Sequence, residues 1–132
     1  VDVINSKLLI TTKNQALGNK LSLFRCNLDG SNCTHKDISS GIIFSSSSNT
    51  NISAKIDSVN SKLFIVGTES INNRPQLFYC DLDGGNEATV DISTGINSSG
   101  YSGNLVIDSL NARIAVVTTN SLNNNQLGLF LR

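Results

Sequence analysis

The sequence predicts an all-β protein built from a repeated four-stranded antiparallel unit of a little over fifty residues, and three observations carry that prediction. The first is composition: 18 Asn and 19 Ser stand among 132 residues, with one Pro and ten Gly scattered mostly between apolar runs. Asn and Ser side chains compete with helical backbone bonds and favour turns, so short strands joined by polar loops are expected, with little helix. The second is patterning, in which short runs alternate apolar and polar residues or are continuously apolar, between turn signals. The third is internal repetition. VDVINSKLLI (1–10) returns 55 residues later as IDSVNSKLFI (56–65) and 51 residues after that as IDSLNARIAV (107–116). LFRCNLDGSN (23–32) returns 54 residues later as LFYCDLDGGN (77–86), and its opening recurs after 52 more as LFLR (129–132). DISSG (37–41) is matched by DISTG (91–95).

The elements of one repeat follow in order. Residues 53–59 alternate around Ala54, Ile56 and Ser58, giving a first strand, and Asn60-Ser61 turns the chain. Residues 62–67 hold the apolar run Leu63-Phe64-Ile65-Val66, a buried second strand. A polar loop over 68–74 ends at Pro75. Residues 76–82 form a third strand with Leu77, Tyr79 and Asp81 on one side and Phe78, Cys80 and Leu82 on the other, because successive side chains in a strand point to opposite faces. Asp83-Gly84 supplies a hairpin turn, since Gly takes positive φ without strain. Residues 87–92 make the fourth strand. Four short antiparallel strands in about fifty residues is the layout of a β-propeller blade.

Blade units are expected at about 1–41, 42–95 and 96–132, of which the middle one is complete. Val1 aligns with Ile56, midway along a first strand, and Arg132 with Cys26 and Cys80 in a third strand. Both ends therefore fall inside a repeat. Propellers close with typically four to eight blades, so the expectation is a section of a longer ring, or copies that associate to complete one. The chain contains no Met, which fits a mature or truncated product.

Charge and hydropathy exclude some classes. Ten cationic and ten anionic side chains give a net charge of zero, which removes the global attraction that a phosphate backbone supplies. Nucleic acid is not the expected partner. No stretch approaches eighteen consecutive apolar residues, so no spanning helix is expected, and no charged-then-apolar leader opens the chain.

The segments IDSVNSKLF (56–64) and QLFYCDLDGGN (76–86) resemble blades of six-bladed propellers of the YWTD type and of the TolB-like type, which carry an NLDGSN turn that stands verbatim at 27–32. The likeness covers essentially the whole chain and implies a propeller. Where the YWTD blades have Tyr-Trp-Thr-Asp, this sequence has LITT (9–12), FIVG (64–67) and AVVT (115–118), so that family's ligand habits do not carry over. The style of the RCNLDG turn with its second Cys is also similar to repeat proteins found among spirochaete exported proteins.

Candidate sites are few. Cys26 and Cys33 flank the NLDGSN turn and are expected to form a disulfide, which would point to an extracytoplasmic location. Cys80 has Glu87 in place of a partner and is expected to be unpaired and packed inward. Cys80 sits in another repeat from Cys26 and Cys33, so the three Cys and one His lack zinc-site spacing. No cofactor motif is present. Asp81, Asp83, Asn86 and Glu87 offer clustered oxygens to calcium, but without EF-hand spacing, and the first repeat drops two of the carboxylates, so a hairpin turn is the preferred reading. Asp2, Asp57 and Asp108 recur at the end of the first strand and are expected to cap the turn that follows. Lys7, Lys62 and Arg113 recur beside them as ion pairs or solvated strand ends. His35 is the single histidine. A catalytic role with a serine and Asp37 has no nucleophile motif behind it, and a surface position on the outermost strand is preferred.

Binding on repeat scaffolds usually lives in variable loops. Loops over 13–19, 68–74 and 120–125 should project from one edge, offering Asn14, Asn19, Asn72, Asn73, Arg74, Asn123 and Asn124, while the connections over 42–51 and 96–103 carry Phe44 and Tyr101. Those two aromatics can serve a sugar surface or pack between blades. The function expected is a non-catalytic binding or scaffold module of an exported bacterial propeller, recognising protein or glycan through its loop faces. A structural subunit that assembles by edge pairing is the alternative. A fragment of a propeller enzyme, its active groups partly outside the chain, is the third reading.

Overall fold

The computed structural model describes residues 1–38, 52–71, 74–92, 104–120 and 126–131. Three antiparallel sheets succeed one another along the chain. The first holds β1 (Lys7–Asn14), β2 (Lys20–Asn27) and β3 (Thr34–Asp37), with a short 3-10 turn at Gln15–Leu17. The second holds β4 (Ser53–Asp57), β5 (Lys62–Thr68), β6 (Pro75–Asp81) and β7 (Ala88–Asp91). The third holds β8 (Asn104–Asp108), β9 (Arg113–Asn120) and β10 (Gln126–Leu131). Each is an up-and-down meander, ordered β1-β2-β3, β4-β5-β6-β7 and β8-β9-β10. The fold is all-β and propeller-like, as the repeat predicts. In the first repeat the opening strand is reduced to a bridge between Asp2 and Lys7. Among the described residues no helix is long and apolar enough to cross a membrane.

The core is split into two seams, one on each face of the middle sheet. Leu63 and Ile65 of β5 join Phe78, Cys80 and Leu82 against Leu21, Leu23 and Ile38 of the first repeat. Val66 and Leu77 face the other way, against Leu105, Ile114 and Val116 of the third. A middle sheet buried on both faces explains why β5 reads as an unbroken apolar run rather than an alternating one. The sidedness expected for Leu77 and for Phe78, Cys80 and Leu82 is the one observed. Adjacent sheets also approach through their first strands, β4 beside β8, which is the innermost position of a blade.

Several strand boundaries differ from expectation, and β4 ends at Asp57, short of residue 59. β6 ends at Asp81, not Leu82, because the turn begins there: the Asp81 amide bonds to the Gly85 carbonyl at 2.8 Å and the Gly84 amide to the Asp81 carbonyl at 2.9 Å. The result is a wider reversal than a two-residue hairpin, and β7 starts at Ala88. Pro75 opens β6 instead of merely ending the loop, a position where proline's missing donor is tolerated.

Candidate functional site

A meander places its loops on two opposite ends. The β1–β2 and β5–β6 loops lie at one end, and the turns before β1, β5 and β9, with those after β2 and β6, lie at the other.

The turn end is rigidly built. The carboxylate of Asp57 accepts hydrogen bonds from the Asn60 amide at 3.1 Å and the Asn60 side-chain nitrogen at 2.8 Å. Asp2 does the same with Asn5 at 3.3 and 2.8 Å, and Asp108 with Asn111 at 3.2 and 2.7 Å. The capping role expected for this Asp triplet is what the geometry shows. Ser6, Ser61 and Ala112 then take left-handed φ of 51°, 54° and 51°, which reverses the chain into the second strand. Burial works against the Asp57 carboxylate, but hydrogen bonds from Asn60 and Ser109 outweigh it and hold the group below its ordinary range. Lys62 pairs with Asp81, its neighbour across the β5–β6 register, whereas Lys7 meets Asn27 at 2.7 Å in the first repeat. Contact with the Asp81 carboxylate raises Lys62 above its usual value.

The acidic segment after β6 is spent on its own turn. Asp83 accepts from the Gly85 amide at 2.8 Å, and Asp81 is engaged by Lys62 and by the Asn86 side chain. Asp29 does the same work in the first repeat, accepting from the Ser31 amide at 2.9 Å. Among the described residues no three His, Cys, Asp or Glu side chains converge as a metal cluster would. Cys26 and Cys33 are bonded across this turn, and Cys80 is buried and free. Burial pushes the Cys80 thiol up to about 12. His35 lies exposed on β3, its ring 4.7 Å from that of Phe24, and Asp37 faces Lys20 at 3.5 Å.

The loop end carries the candidate binding residues. Asn14 caps the 3-10 turn by accepting from the Ala16 amide at 3.1 Å. Asn19 stands at φ 65°, where its amide bonds to the Asn14 carbonyl at 2.9 Å. These two asparagines therefore shape the loop, whose tip exposes Gln15, Ala16, Leu17 and Gly18, with Leu17 45% exposed. The second repeat presents Ile71, 76% exposed. Each aliphatic stands three residues before a cation paired to the outer strand: Lys20 to Asp37 at 3.5 Å, and Arg74 to Asp91 at 3.6 Å. Asn72, Asn73, Tyr101, Asn123 and Asn124, with Phe44, lie outside the described residues.

A further cleft was not anticipated. Lys62, Phe64, Tyr79, Ala112 and Ile114 line a hollow of about 210 Å³ between the second and third sheets, with the Phe64 and Tyr79 rings 5.9 Å apart. The signal was available: Leu9 and Arg25 stand at those positions in the first repeat, and the substitution of aromatics for them marks the second seam as different.

No known protein family matches the chain, and neither does any curated protein. Among solved structures, the chain is similar to a chain of a nidogen/laminin complex, with a TM-score of 0.58 and 12% identity over 98% of this chain and 45% of that one. The likeness is one of fold. This chain spans less than half the length of that neighbour.

Proposed function

We propose that the chain is a non-catalytic, protein-binding section of an exported propeller related to the YWTD and TolB-like types, with blade units at about 1–41, 42–95 and 96–132. The observation that carries this reading is the repeated loop tip. Leu17 and Ile71 are held out to solvent at equivalent places, each braced by an ion pair to the outer strand. On this reading the two register-matched aliphatics are the apolar anchors that a protein partner covers. Aliphatic tips favour a protein over a glycan, whose recognition here would rest on stacking aromatics. The disulfide fits an oxidising, extracytoplasmic setting. A nidogen/laminin neighbour is itself part of a protein complex, which agrees with the reading by analogy of fold.

Parallel protein and glycan arrays test it. The expected result is protein binding that falls at least tenfold in a Leu17→Ser, Ile71→Ser variant with an unchanged thermal midpoint. Binding confined to glycans, or insensitive to both substitutions, overturns it.

A further inference from the structure

We propose that the turn end of the sheets binds a basic amphipathic helix of another protein, whose apolar side covers Ile4, Val59 and Leu110 and whose Lys or Arg side chains meet Asp29 and Asp83. This surface lies opposite the loop end and stands independently of the loop-end reading.

The turn before the second strand of each repeat carries an aliphatic residue two places after its capping Asp: Ile4 after Asp2, Val59 after Asp57 and Leu110 after Asp108. These three are 63%, 62% and 91% exposed. Turn tips ordinarily take Gly, Asn, Asp or Ser, and a chain with 18 Asn and 19 Ser does not want for them. Exposed aliphatics scattered singly need no explanation, but these recur at one position and are held as a set. Each turn is fixed by its Asp–Asn side-chain bond, at 2.8, 2.8 and 2.7 Å in chain order. The Asn60 side chain also donates to the Ser109 carbonyl at 3.0 Å, which puts the Val59 and Leu110 turns side by side.

A second row at the same end is acidic. The turns after β2 and β6 expose Asp29 and Asp83. Each accepts from an amide of its own turn, Ser31 at 2.9 Å and Gly85 at 2.8 Å, and among the described residues neither stands in an ion pair. The cations of this end are engaged elsewhere. Lys62 pairs with Asp81, Lys7 donates to Asn27 at 2.7 Å, Lys36 donates to the Gly84 carbonyl, and Arg113 stands across the β8–β9 register from Asp108. A chain of zero net charge thus keeps two unpaired carboxylates at the end that carries its apolar tips.

Spacing and charge set the occupant. In the second sheet the aliphatic turn joins the first two strands and the acidic turn the last two, so they stand two strand spacings apart, about 10 Å. An α-helix with its side chains is about 10–12 Å across. A helix laid over the turns therefore touches both rows, and complementarity asks for aliphatic side chains on one flank and cations on the other.

A synthetic helical peptide of Leu and Lys, about five turns long, and its Leu/Glu counterpart are the probes, read by fluorescence anisotropy against the whole chain. The Leu/Lys peptide is expected to bind, and the Leu/Glu peptide to bind at least about tenfold more weakly. Val59→Ser with Leu110→Ser is expected to weaken Leu/Lys binding at least about tenfold with an unchanged thermal midpoint. Asp29→Asn with Asp83→Asn is expected to weaken it about threefold or more, since Asn keeps the amide-accepting oxygen and loses only the charge. Leu17→Ser with Ile71→Ser, at the opposite end, is expected to leave it unchanged, which separates failure here from failure of the loop-end reading. Absence of Leu/Lys binding overturns the proposal. So do equal binding of the two peptides, binding indifferent to both turn-end pairs, and capture of phosphatidylcholine vesicles in place of the peptide.

Discussion

The ammonium of Lys36, on the outer strand of the first sheet, donates a hydrogen bond to the backbone carbonyl of Gly84, in the turn after β6 of the second. That turn is thus a piece of the seam as well as a chain reversal. Gly84 and its counterpart Gly30 share a left-handed φ of 81°, yet only Gly84 is hemmed in. A Cβ there would stand 2.9 Å from Lys36 Cδ and 3.0 Å from Ile38 Cγ2, whereas at Gly30 nothing lies within 4 Å. The lysine stem can swing away, but fully buried Ile38 cannot. Both Gly→Ala changes incur the left-handed penalty of about 1–2 kcal/mol. Gly84→Ala is expected to lose at least about 1 kcal/mol more through overpacking, a difference that urea unfolding of the two variants will show.

The Cys26–Cys33 bridge closes a short loop over the turn after β2. Chain-entropy reasoning assigns a loop of that size about 2–3 kcal/mol, from restriction of the unfolded chain. Cys33→Ser is expected to lower the thermal midpoint accordingly, and reducing agent should lower the wild type by the same amount while leaving Cys33→Ser unmoved.

Cys80 behaves in the opposite way. It is sealed in the first seam, and burial holds its thiol near 12, so almost no thiolate exists at neutral pH. Titration of the folded protein with a thiol reagent at pH 8 is expected to find no reactive cysteine, and one per chain appearing on denaturation. Cys80→Ala should cost about 1–2 kcal/mol as a lost sulfur in a packed site.

Much of this was readable beforehand, because repeats expose their own rules. Position 57 is Asp for the reason that 2 and 108 are, and the turn capped by each was inferred from their recurrence. The facing of Leu77 and Phe78 followed from strand period alone. What escaped was whatever joins different repeats. The cleft between the Phe64–Tyr79 pair and Ile114, the Lys36–Gly84 bond and the Asn60–Ser109 bond involve residues distant in sequence, which no local pattern brings together. The loop asparagines misdirected attention for a related reason: Asn14 and Asn19 are polar and repeated in style, but their bonds go to the loop's own backbone, and the exposed tip is Gln15 to Gly18.

Acid stability should report the Asp relay directly. Asp2 and Asp57 are each opposed by burial, but their hydrogen bonds from Asn and Ser prevail and lower both folded-state values below the usual carboxylate range. An unfolded Asp titrates near about 3.9. Because the folded values are the lower ones, the stabilisation is complete above the unfolded value and drains away as pH falls through the folded values. Unfolding free energy is therefore expected to fall away below about pH 4, within the range set by these groups. In Asp57→Asn the new amide nitrogen competes with Asn60 as a second donor in a space with 3% exposure, and the charge that drew the Ser109 hydroxyl is gone. That variant should lose about 1–3 kcal/mol at pH 7 and show a shallower acid limb. The same substitution at exposed Asp108 should move the midpoint less, since that carboxylate is already solvated. Chemical denaturation at pH 7, 5, 4 and 3 compares the three proteins, and equal losses at 57 and 108 would show that the seam draws nothing from the carboxylate.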